Sequence, residues 1–283
     1  MSITLSGFSD EISQDIDRQF SHLNHLGISY FEPRGVNGTN ISALSDEQVA
    51  ELVQKMEQYG IRASSIGSPI GKISITDPME PHLELLKRTI QIAKALDTRR
   101  IRIFSFYMPD GEDPAPYREE VMKRMRQMAD VAEQEDILLL HENEKGIYGD
   151  IALRCKEIFD EIGSPNLRGV FDPANFVQCG DSVYPEAFHL LKEHIDYFHV
   201  KDALKDGSVV PAGKGDGCLE DLLRELVEDG YDGFLSLEPH LGSFEGLADL
   251  EQGDEMLQLD RSDAGKFTLA YESLMKLLKR VSE

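Results

Sequence analysis

Short apolar runs alternate with longer amphipathic runs along the chain. The short runs have the length and continuous apolar character of strands buried on both faces. Eight of them occur, at residues 3–8, 28–33, 61–67, 100–106, 137–142, 167–172, 197–202 and 233–238. In the segment that follows each one, apolar residues recur with helical spacing, so the pattern predicts repeated strand–helix units.

The predicted helices cover residues 13–26, 45–59, 79–96, 116–134, 150–162, 184–195, 218–229 and 262–281. The second predicted helix, 45–59, illustrates the boundary signals. Ser45 and Gln48 have the spacing of a capping box, and Gly60 is a stop signal after the last apolar position. Helix boundaries of this kind support the alternation of strands with helices.

Eight strand–helix units in 283 residues fit an α/β fold, a (β/α)8 TIM barrel in which residues 1–283 form a single domain. A doubly wound open sheet is the alternative, although no Gly-x-Gly-x-x-Gly motif follows the first strand. Two segments, residues 107–115 and 239–261, exceed a normal connection. Both would lie at the carboxyl ends of the strands, where barrel enzymes place their active sites.

Charge and cysteine content narrow the class of partner. The formal net charge of −23 disfavours binding to nucleic acid and to anionic membranes. Three cysteines, Cys155, Cys179 and Cys218, form no CxxC pair and no even disulfide set. The start of the chain lacks the basic and apolar regions of a signal peptide, so we expect a cytoplasmic setting. The sequence is compatible with a homo-oligomer.

Polar residues at the ends of four successive predicted strands indicate a metal site. They are Glu142, Asp172, His199 and Glu238. In a barrel these ends converge on one mouth, where three desolvated carboxylates and an imidazole would repel one another without a cation. This donor set suits one divalent ion and does not choose among Mn2+, Mg2+, Co2+ and Zn2+.

Each of these residues also has an ordinary structural explanation. An acidic residue after a strand is commonly a helix cap or a solvated loop residue. Asp172 could start a turn before Pro173, and His199 could be a core histidine with a satisfied ring. Four such residues at four successive strand ends favour the metal site over four separate coincidences.

Five short motifs carry a resemblance to a known family. They are HENE (141–144), FDPANF (171–176), FHVKD (198–202), PAGKGDG (211–217) and SLEP (236–239). In their order and spacing they resemble the xylose isomerase-like TIM barrels. That family includes sugar and sugar phosphate isomerases, ketose 3-epimerases, inosose dehydratase, dehydroshikimate dehydratase and, more distantly, endonuclease IV.

The resemblance implies roles for several residues. Glu142, Asp172, His199 and Glu238 would hold the metal, and Glu142 and Glu238 would face opposite sides of the substrate to move its proton. Lys201, His141 and His240 are candidate general acids. Asn175 stands where endonuclease IV-like proteins carry a further metal-binding histidine, so we expect one ion rather than a cluster.

Further residues near the strand ends are candidates for binding substrate: Glu32, Arg34, His141, Asn175, Lys214 and His240. Alternatively, Glu32 and Arg34 would form an internal ion pair, and Lys201 would pair with Asp202. Glu144 should point the same way as Glu142 but farther out, because side chains alternate along a strand.

The sequence therefore predicts an isomerase or epimerase of a small keto sugar or sugar phosphate that depends on a divalent metal. The alternative is a dehydratase that acts on an inosose or related keto-polyol at the same site. A non-catalytic sugar-binding barrel and an endonuclease IV-like DNA repair enzyme rank lower. No nucleotide-binding motif is present.

Overall fold

Eight parallel strands form the centre of the fold; seven lie within the runs that the sequence predicts, and the seventh in chain order begins two residues before its predicted run, 197–202. The computed structural model describes residues 3–241 and 263–283. In chain order the strands, called first to eighth below, are Thr4–Gly7, Tyr30–Phe31, Arg62–Ala63, Arg100–Ile103, Leu138–Glu142, Leu167–Phe171, Ile195–Val200 and Phe234–Leu237.

Backbone hydrogen bonds connect every neighbouring pair of strands into a closed ring. The fourth to eighth strands form a parallel ladder that continues into the first. The second and third strands pair with each other. The amide of Glu32 donates to Gly7 O at 2.9 Å, and the amide of Ile66 donates to Arg100 O at 2.9 Å, which closes the ring. The predicted (β/α)8 barrel is confirmed, and the open sheet is excluded.

The helices surround this ring in the predicted order. Their bounds are Ile16–His25, Asp46–Tyr59, Glu80–Ala95, Arg118–Glu135, Ala152–Ile162, Phe188–Leu191, Leu219–Glu228 and Asp263–Ser282. The capping box of Ser45 and Gln48 is present, and Gly60 ends that helix with φ of 67°. A short α-helix, Pro173–Gln178, follows the sixth strand directly and was not predicted. It is too short to show helical periodicity.

Side-chain alternation divides the core into two parts. Residues that point outward from the strands pack against the helices in the large hydrophobic core. Inside the ring, Leu140, Val170 and Tyr197 form a small apolar layer. The next inward positions along these strands are Glu142, Asp172 and His199, because inward positions recur every two residues. The barrel interior therefore changes from apolar to ionisable towards the carboxyl ends of the strands.

Of the two long segments predicted at the mouth, the structure describes the first in full and the second only at its start. Residues 107–115 lead into a single turn of 3-10 helix at Ala115–Tyr117. Of residues 239–261, only the first three fall within the described residues. Among the helices described, none has the length and apolar character that a membrane span requires.

Candidate metal centre

Four ionisable side chains from the fifth to eighth strands converge inside the barrel mouth. Glu142, Asp172, His199 and Glu238 each offer a ligand atom, and these atoms lie within 4.8 Å of one another. Their exposed fractions are 0–3%. Each follows an inward-facing apolar or small residue two positions earlier, so the strand register places all four on the same face.

The imidazole of His199 lies at the centre of the three carboxylates. Its Nδ1 atom is 2.9 Å from Glu142 Oε1, 3.4 Å from Glu238 Oε2 and 3.9 Å from Asp172 Oδ2. Phe8 packs edge-on against the ring, with 5.2 Å between ring centroids. Nδ1 therefore faces the candidate ligands, and the rest of the ring is held in place.

Glu32 lies below His199 in the barrel. Its Oε2 atom is 3.3 Å from His199 Nε2 and accepts hydrogen bonds from Tyr197 Oη at 3.0 Å and Ser236 Oγ at 2.7 Å. Glu32 is 1% exposed, so it lies beneath the metal-binding candidates rather than in the mouth. A carboxylate behind a ligating histidine fixes the tautomer and orientation of the ring.

Two buried cations balance part of this negative charge. Lys201 Nζ lies 2.8 Å from Asp172 Oδ2 and 3.0 Å from Glu238 Oε2. Arg102 Nη1 lies 3.2 Å from Glu142 Oε2 and 3.9 Å from Glu238 Oε1. Lys201 thus pairs with two candidate ligands, whereas Asp202 has a different role.

The electrostatic balance shows that the cluster stabilises positive charge. Burial alone would lower the pKa of His199, but Glu142 and Glu32 raise it well above its usual value. Burial raises the pKa of Asp172 to about 7 against the opposing effect of Lys201. His199 and Arg102 outweigh burial at Glu142 and lower its pKa to about 2. A proton on His199 thus supplies positive charge that a cation at the cluster could replace.

The donor set fits a divalent cation. Glu142 Oε2 and Asp172 Oδ2 are buried and accept no hydrogen bond apart from their ion pairs with Arg102 and Lys201, so each keeps a lone pair free for a ligand bond. Three carboxylate oxygens and one imidazole nitrogen suit Mg2+, Mn2+, Co2+ or Zn2+. Glu32 is placed to accept the remaining ring N–H of His199 when Nδ1 ligates an ion. The four residues could therefore hold a metal.

Two asparagines contact the acidic residues of the cluster, one at the backbone of Asp172 and one at the side chain of Glu142. The Asn143 side chain pairs with the backbone of Asp172 through two hydrogen bonds, of 2.9 and 3.0 Å. Asn175 Nδ2 donates to Asn143 O at 2.8 Å and to Glu142 Oε1 at 3.3 Å. Asp172 also caps the short helix by accepting from the amide of Asn175. Asn175 therefore contacts a candidate ligand and lies within the cluster.

At the edge of the mouth, Arg34 belongs to an acidic network. Its guanidinium donates to Asp10, with bonds of 2.9 and 3.1 Å, to Glu11 at 3.3 Å and to Glu238 Oε1 at 3.3 Å. His240 Nε2 lies 3.6 Å from the same Glu238 oxygen. The alternative of a Glu32–Arg34 ion pair is not what forms, because the two side chains have different partners.

Asp202 organises the glycine turn after the seventh strand. Its carboxylate accepts backbone N–H groups from Ala203, Gly213, Gly215 and Gly217 at 2.8–3.0 Å. A Cβ on Gly215 would lie 2.3 Å from Asp202 Oδ1, so only glycine fits there. Lys214, a predicted substrate-binding residue, is exposed on this turn.

His141 does not join the cluster. Alternation places it on the outer side of the fifth strand, opposite to Glu142. Its ring packs edge-on against Phe159, with 6.0 Å between centroids, and a Cβ on Gly149 would lie 2.4 Å from it. The ring is enclosed between the strand and the helix layer, so we leave His141 out of the residues proposed to bind substrate or transfer a proton.

Sequence reasoning missed Arg102 and Lys72. Arg102 lies between two isoleucines in the fourth strand, and alternation with those apolar neighbours is the signal that could have found it. Its guanidinium carbon is 5.0 Å from the centre of the Phe8 ring. Lys72 reaches the mouth from a loop and pairs with Glu144 at 3.2 Å. Lys72 was missed because the search relied on polar residues at strand ends, and Lys72 lies in a loop.

The comparisons with known proteins agree with this fold. The family model described as xylose isomerase-like TIM barrel matches residues 20–258, and the chain belongs to this family. The expected family is therefore confirmed. None of the curated proteins that were compared matches the chain.

Several solved structures are similar over nearly the whole chain. One is the probable 3-DHS dehydratase AsbF of Bacillus anthracis, involved in petrobactin synthesis, with 17% identity, a TM-score of 0.74 and coverage of 97% of this chain and 99% of the other. Another is a xylose isomerase-like TIM barrel protein of Mycobacterium smegmatis in complex with magnesium, with 17% identity, a TM-score of 0.72 and coverage of 100% and 98%.

A third is D-allulose 3-epimerase of a Methylomonas species in complex with D-allulose. It has 16% identity and a TM-score of 0.70, with coverage of 99% of this chain and 97% of the other. At such identities these likenesses establish the fold, and the chemistry has to be argued from the site.

Proposed function

We propose that this protein is an isomerase or epimerase of a small keto sugar or sugar phosphate that depends on one divalent metal ion. The observation that carries the proposal is the convergence of Glu142, Asp172, His199 and Glu238 within 4.8 Å in a buried barrel mouth. Solved structures of similar fold include epimerases and a probable dehydratase, which supports an enzymatic role. A bound ion would act as a Lewis acid that stabilises charge on the substrate carbonyl oxygen.

Glu142 and Glu238 are the proposed proton-transfer groups. They come from the fifth and eighth strands, and both are within 4 Å of Arg102 Nη1, at 3.2 and 3.9 Å. One glutamate, as the carboxylate, would take the proton next to the carbonyl, and the other, as the carboxylic acid, would donate a proton to the opposite face, which inverts that carbon. Arg102 and Lys201 lie beside the two glutamates and favour the ionised form that the proton-accepting glutamate needs, because nearby positive charge favours a carboxylate.

A dehydratase is the second candidate, and Lys201 is the observation that favours it. Its ammonium lies 3.0 Å from Glu238, and its pKa is raised by Asp172 and Glu238 despite burial. A protonated amine beside the base could donate to a departing hydroxyl group, so that loss of water would follow proton abstraction. The substrate would then be an inosose or related keto-polyol.

Hydrogen exchange in D2O tests the shared first step. The protein, loaded with Mg2+ or Mn2+, is incubated with keto sugars, keto sugar phosphates and inososes and followed by NMR. We expect one of them to exchange the hydrogen next to its carbonyl. Epimerisation then leaves the mass unchanged apart from the label, whereas dehydration loses water and often creates an ultraviolet-absorbing enone.

Two matched variants test whether the hydrogen exchange takes place at the proposed metal site. Glu238→Gln should slow it by about 10²–10⁴-fold, the range for loss of a general base. Glu57→Gln, an exposed change on the helix Asp46–Tyr59, should leave it unaltered. A ligand that binds tightly yet never exchanges with any divalent metal would replace the enzymatic proposal with a sugar-binding role.

The proposed partner is thus a small carbohydrate rather than nucleic acid or a membrane. The excess of acidic residues supports this choice, because polyanions are repelled. The three cysteines are free thiols, which is compatible with the cytoplasmic setting we propose.

A further inference from the structure

We infer that the substrate of this site is an uncharged keto-polyol, with neither a phosphate nor a carboxylate group. This inference rests on the proposed function and chooses among the substrates that the proposal leaves open. It is carried by the pairing of cations around the described part of the mouth. Each of these cations already faces carboxylates of the protein itself.

Arg34 has no donor left for an anionic substrate group. Its Nε and Nη2 atoms donate to Asp10, Nη2 also donates to Glu11, and Nη1 donates to Glu238 and lies 3.3 Å from His240 Nε2. Asp10 and Glu11 are not candidate metal ligands. Arg34 would therefore stay paired when an ion takes up the oxygens of Glu238.

Lys72 is neutralised in the same way on the other side of the mouth. Its ammonium lies 3.2 Å from Glu144 Oε2 and 4.2 Å from the centre of the Phe104 ring. The same ring lies 4.8 Å from the guanidinium carbon of Arg102, which connects Lys72 to the cluster. Glu144 lies outside the four candidate ligands, so metal binding leaves this pair intact.

Metal binding leaves no excess of positive charge around the paired cations of the described mouth. The four paired cations, Arg34, Lys72, Arg102 and Lys201, face six carboxylates, namely the three candidate ligands and Asp10, Glu11 and Glu144, while Glu32 lies beneath them. A divalent ion therefore brings the two totals level. A phosphate or carboxylate on the substrate would place a further negative charge among these carboxylates, which disfavours its binding. Hydroxyl groups, in contrast, can donate to these carboxylates.

The test compares uncharged substrates with related substrates that carry a phosphate or a carboxylate. D-allulose and D-fructose are each paired with their 6-phosphates, and an inosose is compared with 3-dehydroshikimate. The readout is the rate of deuterium exchange next to the carbonyl at limiting substrate, with Mg2+ or Mn2+ present. We expect exchange with the uncharged members to exceed that with the charged members by at least about 100-fold.

A variant links the selectivity to the paired cations. Glu144→Gln frees Lys72, so it should raise the relative rate for the phosphorylated members by about 10-fold, since an unpaired lysine can then face the phosphate. Glu57→Gln removes one negative charge from an exposed helix position and should leave the selectivity unchanged.

The outcomes separate this inference from the function on which it rests. Preferred exchange with a phosphorylated or carboxylated member would overturn the inference while the enzymatic proposal stands. Equal rates for both members of a pair would overturn it as well. No exchange with any member, charged or uncharged, would overturn both.

Discussion

The Nε2 atom of His199 lies 3.3 Å from Oε2 of Glu32, on the side of the ring away from the three candidate metal-binding carboxylates. Sequence reasoning assigned Glu32 to substrate binding. Its position beneath His199 indicates a different role. Glu32 can accept a hydrogen bond from the ring N–H at Nε2 and so orient Nδ1 towards an ion. The second strand, which contributes no candidate ligand, thereby supports the metal centre.

Glu32→Gln should weaken the affinity for Mn2+ by about 10- to 100-fold, because an amide holds the histidine N–H less strongly than a carboxylate does. Isothermal titration of the metal-free protein measures this. Glu144→Gln, a carboxylate in the mouth outside the candidate ligand set, should bind Mn2+ as the wild type does. An unchanged affinity in Glu32→Gln, with the fold intact by circular dichroism, would contradict the role given to Glu32.

Asp202→Asn should destabilise the fold by about 2–4 kcal/mol, because each carboxylate oxygen accepts two backbone N–H groups. An asparagine must turn its NH2 group towards two of those donors. Urea unfolding followed by circular dichroism gives the free energy of unfolding. Asp232→Asn, at an exposed position, is the control and should change it little. Equal stability of the two variants would argue against Asp202 as the anchor of the glycine turn.

His82 should make the protein less stable as pH falls. Burial and the nearby Arg124 lower the pKa of its ring, and Nε2 accepts the amide N–H of Gly71 at 2.6 Å. As pH falls, His82 is therefore protonated in the unfolded chain before it is protonated in the folded protein. The free energy of unfolding should decline once the pH drops below the unfolded pKa of about 6.5. Urea unfolding at about pH 7.5 and about pH 5.5 measures the decline.

His82→Gln is the comparison that isolates this histidine. A glutamine can accept the same N–H and does not titrate, so its loss of stability between the two pH values should be smaller than in the wild type. Parallel losses in both proteins would show that carboxylates elsewhere, rather than His82, set the acid response.

DNA containing an abasic site should be neither bound nor cut at physiological salt. Negative net charge opposes binding to phosphate backbones, and the mouth cations already pair with protein carboxylates. Fluorescence anisotropy and a nicking assay with labelled duplex measure both properties. Incision at catalytic protein concentrations would revive the endonuclease IV-like alternative.

The sequence predicted the barrel because its signal is local and repeated. Apolar runs bounded by polar residues marked every strand, and the last residues of four runs marked the cluster. The same period of two residues could have placed His141 outside the barrel, since it precedes the inward-facing Glu142. The roles of Arg102 and Glu32 were harder to predict, because their partners come from distant strands and only the closed ring brings them together.

The most direct test of the central claim is the metal content of the purified protein and of two ligand variants. Wild-type protein incubated with Mn2+ and freed of excess metal should hold about one ion per chain, which a chelator removes. Glu142→Gln and His199→Ala should lose it, whereas Glu144→Gln should keep it. Full occupancy in both ligand variants, as measured by elemental analysis, would contradict the assignment of Glu142, Asp172, His199 and Glu238 as the metal site.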